Sequence, residues 1–192
     1  MSLQYAILIA LTEGPRSGYD IAKLFDQSVG FFWRARHSQI YRELGKLKDK
    51  AWAEAKEIVQ SDKPNRIEFR ITDAGREALM QWSRQPTEPQ ELKDDFLVQL
   101  YGIEAIDLDA LRSNLLARQE RHRDLHAQYE AKYKLLENSD ILGDIGRRLA
   151  LEVALIYERE WGDWCARALD QLSPEALGAQ DIVVPMKQEK RA

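Results

Sequence analysis

The chain has 192 residues, 44% of them hydrophobic and 31% charged, with one cysteine and a net charge of −4. That length buries a real core as one large domain or two small ones, and the composition excludes a disordered chain. Cys165 alone excludes an internal disulfide and points to a reducing compartment; the apolar run Tyr5 to Leu11 is far shorter than the ~20 residues a bilayer requires. No N-terminal run has the order of a secretory signal, so a cytoplasmic location without membrane contact is expected.

The net charge hides a split. Residues 1–84 hold 14 Lys/Arg against 11 Asp/Glu, whereas residues 85–192 hold 14 against 21. A DNA binder needs a basic patch rather than a basic average, and only the first half offers one.

Taken in order, Ser2 to Thr12 reads as a helix with Tyr5, Leu8, Ile9 and Leu11 as its apolar residues. Glu13-Gly14-Pro15 stops it, since proline cannot continue a helix. Ser17-Gly18 opens a second helix, Tyr19 to Gln27, and an aromatic cluster Phe31-Phe32-Trp33 follows with Arg34 and Arg36. The third helix runs from Ser38 to about Lys50. Its wheel places Ile40, Leu44, Leu47 and Ala51 on one narrow face and Ser38, Arg42, Gly45 and Asp49 on the opposite one. Gln39 and Lys46 form one shoulder, Tyr41 and Lys48 the other. Gly45 in mid-helix costs up to ~1 kcal/mol relative to alanine, which makes sense where a bulky partner must approach the backbone. A major groove is such a partner, because it admits a helix and presents base edges to Arg, Gln and Ser. A solvated face with no partner is the alternative reading of this helix taken alone. Three short helices separated by tight turns suggest a helix-turn-helix.

Glu54 to Gln60 contains Ile58 and Val59, Ser61 to Asn65 is a turn cluster, and Arg66 to Ile71 alternates cleanly. The two strands predict a β-hairpin, which after a helix-turn-helix is a wing. Thr72 caps a further helix, Asp73 to Trp82.

The two-proline segment Gln85 to Pro89 marks the domain boundary. The expected division is a winged helix over 1–84, a linker over 85–90, a helical domain over 91–172 and a weakly ordered tail over 173–192. In the helical half, Leu92 to Tyr101 is followed by a long helix to about Asn138, with Leu108, Leu111, Leu115, His122, Leu125, Tyr129 and Leu136 at heptad spacing. Arg118 and Lys132 interrupt that seam, so an antiparallel helix pair, or a dimer packing with polar gaps, is expected rather than a long parallel coiled coil. The last helix, about Ile145 to Gln171, carries Leu149, Val153, Ile156 and Ala168 plus Trp161 and Trp164. The fold class is therefore mainly α: a winged helix-turn-helix domain with a small β-hairpin wing, then an all-α domain.

Two patterns call for other chemistry. His122 and His126 stand one helical turn apart, a metal-chelating spacing, but without nearby cysteine a place on the seam or the surface is the stronger reading. Asp94-Asp95 suits the charge preference of a helix N-terminus. No GxSxG, HExxH, P-loop or dinucleotide fingerprint is present, so neither catalysis nor a metal or other cofactor is expected.

The segments Leu8 to Leu11, Ser17 to Ile21, Phe32-Trp33, Ser38 to Leu44 and Phe69 to Leu79, in that order, resemble the PadR family of bacterial transcription regulators over about residues 3–84. Glu91 to Leu172 is similar, by pattern and length, to the helical C-terminal domain of the longer PadR branch, which includes virulence-gene activators. The resemblance implies a homodimer, joined through the C-terminal helices, on a pseudo-palindromic double-stranded DNA operator. It makes Ser38 to Arg42 the start of the recognition helix, Tyr19 a backbone contact, and Lys63, Asn65 and Arg66 wing-tip contacts. Within that frame Arg42 is the candidate for bonding guanine at two points and Gln39 for adenine. Ser38 either joins them or caps its helix, Tyr41 offers its hydroxyl to a phosphate, and Lys46, Lys63, Arg34 and Arg36 are phosphate contacts or solvated. Some members of the family bind phenolic acids or planar drugs, so a small aromatic effector at a dimer cleft is the ligand the resemblance allows. Ala51-Trp52-Ala53 departs from the family pattern, which has a glycine and small aliphatic residues there. Two other readings stay open: a winged helix serving as a protein-interaction module, and a helical ligand-sensing protein.

Overall fold

The computed structural model describes residues 2–27, 35–59, 65–89 and 92–178. They divide into two compact units, Met1–Gln90 and Glu91–Ala192. The aromatic cluster at 31–33, Arg34, Lys63 and residues 179–192 lie outside the described residues.

The first unit runs α1 (Ser2–Thr12), β1 (Arg16–Ser17), α2 (Gly18–Gln27), α3 (His37–Asp49), β2 (Ala53–Ile58), β3 (Arg66–Ile71) and α4 (Asp73–Ser83). The amphipathic wheel of α3 holds: Ile40, Leu44 and Leu47 are each 0% exposed, packed with Ile7, Leu8 and Leu11 of α1 and Ile21, Ala22 and Phe25 of α2. Full burial of such side chains stabilises by about 1.5–3 kcal/mol each. Helix α1 is apolar almost all round, so its sequence does not say which way it faces; Ile7 is in the core, while Ile9, grouped with the apolar residues from the sequence, is half exposed.

The expected hairpin of β2 and β3 is present, and β1 adds a third strand to it, in the order β1-β3-β2. Arg16 pairs with Phe69 and Ser17 with Glu68. A two-residue strand has no periodicity to read. It is held by Arg16, whose Nε donates to the Ala10 carbonyl at 3.0 Å and whose Nη2 meets Glu13 at 2.5 Å. Along the inner row of β3, Ile71 is buried, Phe69 half-buried and Ile67 55% exposed, so the hairpin projects beyond the core as a wing does.

Ala51, placed on the apolar face of α3 from the sequence, lies past its end with φ at +56°. The Trp52 amide donates to the Leu47 carbonyl and the Ala51 amide to the Lys48 carbonyl, both at 2.9 Å, a Schellman termination whose left-handed position favours glycine. Left-handed backbone costs a residue with a Cβ roughly 1–2 kcal/mol, and glycine loses part of that relief to its freer unfolded chain. Ala51→Gly is therefore expected to stabilise the chain by about 1 kcal/mol, read as a higher thermal midpoint; a lower midpoint would contradict this geometry. Thr72 then fastens the exit of the wing, donating to the Ala51 carbonyl at 2.7 Å and accepting from the Gly75 amide at 3.0 Å. At Gly75 an added Cβ would lie 2.1 Å from the Trp52 carbonyl oxygen, which is why α4 can seat only a glycine there.

The second unit contains α5 (Asp95–Tyr101), a 3-10 turn at Ile103–Ala105, α6 (Leu108–Leu136), α7 (Leu142–Gln171) and α8 (Pro174–Gly178). Helix α8 occupies the start of what the sequence suggested was a weakly ordered tail. Helices α6 and α7 pack antiparallel, with Arg112 reaching the Leu172 carbonyl, His122 meeting Glu158, and the Tyr133 hydroxyl 3.3 Å from Glu152. Of the heptad positions, Leu111, Leu115 and Tyr129 are buried and the others half-buried. Arg118 interrupts the row for a reason: it donates to both Asp94 oxygens, at 2.7 and 2.8 Å, with its guanidinium 4.3 Å from the Phe96 ring centre. Asp94 in turn accepts the Phe96 amide at 2.9 Å, the helix-start role expected of it, and the Arg118 hydrogen bonds hold its carboxyl below the usual range.

The structure decides which apolar row of α7 packs inward. Its buried row is Leu151, Ala154, Glu158 and Cys165, whereas Leu149, Val153 and Ile156 are 56%, 68% and 54% exposed. Among the described residues no helix is long and apolar enough to cross a membrane.

Candidate nucleic-acid interface

With its inner row locked into the core, α3 turns Ser38, Arg42 and Gly45 to solvent. A Cβ at Gly45 would meet nothing within 4 Å among the described residues, so no packing among them accounts for the glycine. Among the described residues no carboxylate pairs with Arg42, whereas Lys46 is bound to Glu43 at 2.7 Å. An unpaired guanidinium on an anchored helix has its full donor set for a partner.

The start of α3 is more constrained than the sequence implied. The helix begins at His37, tied to Asp26 of α2 at 3.1 Å, so Ser38 is inside the first turn rather than before it and is not the cap. Gln39 supplies the closure, its Oε1 accepting the Arg36 amide at 2.9 Å. Two-point reading of adenine by Gln39 requires that oxygen, so it competes with the helix's own start. Tyr41, 52% exposed, lays its ring across Gly18 at the beginning of α2, where an added Cβ would approach the ring to 2.4 Å. Tyr19, the residue after Gly18 on α2, is 64% exposed.

The beginning of α2 is built by Ser17 and Asp20. The Ser17 amide and hydroxyl donate to Asp20 Oδ2 at 3.0 and 2.7 Å, and the Asp20 amide donates back to Ser17 Oγ at 3.2 Å. The Ser17 hydroxyl and amide hold the Asp20 carboxyl below its ordinary range, with Arg66 and Arg16 adding to the effect. The Ser-x-x-Asp spacing was there to be read as a capping pair; its approach to the wing was not.

On the wing, Asn65 Nδ2 donates to Glu57 at 2.9 Å, Arg66 is bonded to Glu68, and Arg70 lies 4.0 Å from Glu54. Arg42, Tyr41, Tyr19, Asn65 and Arg66 thus belong to one compact unit and all are exposed, but the two wing groups enter it already engaged by carboxylates. Lys63 is outside the described residues.

In the helical unit His122 is a seam residue, as read from the sequence: its ring bonds Glu158 and stacks on Trp161 with centroids 5.7 Å apart. Trp164 packs edge-on against Trp161 at 5.3 Å, while in the first unit Tyr5 stacks on Trp82 at 4.7 Å. These tryptophans are engaged in packing.

Residues 7–81 match the model of the transcriptional regulator PadR-like family, and residues 92–173 that of the virulence activator alpha C-terminal domain. The negative transcriptional regulator PadR of Bacillus subtilis is 33% identical over 183 residues, covering 90% of this chain and 98% of that protein. Its crystal structure in complex with operator DNA superposes with a TM-score of 0.77 at 30% identity, over 90% of this chain and all of that one. Its complex with p-coumaric acid gives 0.67 at 29% identity, over 88% and 94%. The Vibrio cholerae virulence activator AphA gives 0.71 at 32% identity, over 89% and 98%.

Proposed function

Since this chain belongs to the PadR-like family of transcriptional regulators, we propose that it binds double-stranded DNA sequence-specifically, as a homodimer on a pseudo-palindromic operator. The observation that carries the reading is α3 itself: its inner row is wholly buried while its outer row presents Arg42 without a carboxylate partner among the described residues, next to a glycine with open space above it. Such a helix fits a major groove, where a guanidinium bonds O6 and N7 of guanine together. Ser38, Gln39, Tyr41 and Lys46 surround Arg42, and Tyr19, Asn65, Arg66 and Lys63 supply contacts that position the protein without selecting sequence. The operator complex of the Bacillus subtilis relative supports the DNA-binding reading.

In a two-fold dimer the paired helices enter successive major grooves about 34–36 Å apart. The apolar row Leu149, Val153 and Ile156 on α7 is the surface we assign to the partner subunit, since nothing in the described part of its own unit covers it. A small aromatic acid is the effector class, supported by the p-coumaric acid complex of that same relative. The reading assigns no catalytic step and no cofactor to the chain, and places it in the cytoplasm with the DNA.

Footprinting on the chain's own upstream region tests it: protection of two half-sites one helical turn apart, with affinity falling steeply as salt rises, is the expected result. No protection at low salt would favour the protein-interaction reading instead. Gly45→Ala separates fold from function at one residue. It is expected to stabilise the helix by up to ~1 kcal/mol while weakening operator binding, because a methyl group then stands between helix and groove. Higher stability with unchanged affinity would place Gly45 away from the DNA.

A further inference from the structure

The wing carries as many carboxylates as cations on its described strands: Glu54, Lys56 and Glu57 on β2, and Arg66, Glu68 and Arg70 on β3. The antiparallel register sets Lys56 opposite Glu68 and Glu54 opposite Arg70, so the outer face alternates in sign across the strands. Glu68 is the best seated of them. Its side chain is 22% exposed against 47% for Arg66, its backbone lies opposite Ser17 of β1, and it is bonded to Arg66. Arg66 is thus held by Glu68, and Asn65 is engaged by Glu57.

Exposed ion pairs contribute little to stability, so the consequence of this arrangement falls on binding. Affinity for arbitrary DNA comes from cations that replace the counterions condensed on phosphates. An arginine already neutralised by a carboxylate releases little on such an exchange, and leaves Glu68 facing the phosphate when it moves. Arg42 carries no such restraint from the described residues. We propose that Glu68 and Glu57 are specificity-determining residues, holding back the wing's phosphate-binding groups so that base contacts from α3 decide where the dimer stays. The proposal rests on the DNA-binding reading above.

The test uses the full chain, a mixed-sequence duplex and the footprinted upstream duplex, with affinity measured by fluorescence anisotropy across a salt series. Glu68→Gln is expected to raise affinity for the mixed-sequence duplex about three- to tenfold and to steepen the salt dependence by about 0.9 per subunit, with a smaller gain on the operator. Glu104→Gln makes the same charge change in the helical unit and is expected to alter neither slope nor selectivity. If Glu68→Gln and Glu104→Gln behave alike, or if Glu68→Gln binds mixed-sequence DNA no better than the parent, the proposal is overturned. Glu57→Gln, at an exposed position, gives the same comparison should Glu68→Gln lose its native melting transition. Failure of the parent chain to bind either duplex at low salt would instead overturn the DNA-binding reading.

Discussion

Val153→Asp combined with Ile156→Asp is expected to yield a folded monomer whose operator affinity is lower by about 10²- to 10⁴-fold. Both side chains are more than half exposed on a helix whose opposite row is buried against α6, so the substitutions leave the unit's own core untouched. Leu149, Val153 and Ile156 stand at i, i+4 and i+7, one stripe, and a two-fold interface uses the same stripe twice. Burying each such side chain contributes up to about 1.5–3 kcal/mol, whereas an aspartate in the same place brings an unpaired charge into an apolar contact. Losing the dimer separates two half-site contacts that act as one, and effective-concentration gains of about 10²–10⁴ vanish with it. Light scattering after size-exclusion chromatography reports the mass, circular dichroism the retained helix, and anisotropy the affinity. A variant that remains dimeric would move the interface to another face.

Arg42→Ala should act at a single base pair in each half-site. A bidentate arginine–guanine contact is worth about 1–3 kcal/mol of discrimination, so the variant should lose that amount per half-site on the operator while its binding to mixed-sequence DNA changes little. Arg42 neither packs in the core nor pairs with a carboxylate among the described residues, so the melting temperature should stay within the range of ordinary surface substitutions. Systematic base substitution in each half-site supplies the readout. Relaxed preference at one position marks the base that Arg42 reads, and an unchanged profile would take the assignment away from it.

These two residue sets differ in how far they could be read from the chain. The period of α3 is a local property: Ile40, Leu44 and Leu47 recur at helical spacing, so burying them turns Arg42 and Gly45 outward whatever the helix packs against. Helix α7 offered two apolar rows. The sequence names Leu149, Val153 and Ile156 among its apolar residues without choosing a face, and the row packed on α6 contains Glu158. A buried carboxylate is legible only when its partner is known, and His122 lies on another helix, 36 positions away. Likewise Arg118 looked like a fault in a heptad until Asp94 and Phe96 were seen to receive it. Ala51 shows the limit at the level of a single dihedral. Its place after Lys50 continued the wheel, but the Schellman bonds from Ala51 and Trp52 had already ended the helix.

What the amino-acid sequence determined unaided is the longer helices, the β2–β3 pair and the outward face of α3, because helical and strand periodicity depend only on neighbours a few positions apart. It also carried the order of motifs that marks the family. The tertiary structure alone decided that Arg16 and Ser17 form a third strand, that Glu57 and Glu68 hold Asn65 and Arg66, and which row of α7 is left exposed. Each of those depends on chain reversals that bring distant residues within a few ångströms, and no local spacing encodes which charge will be found opposite which.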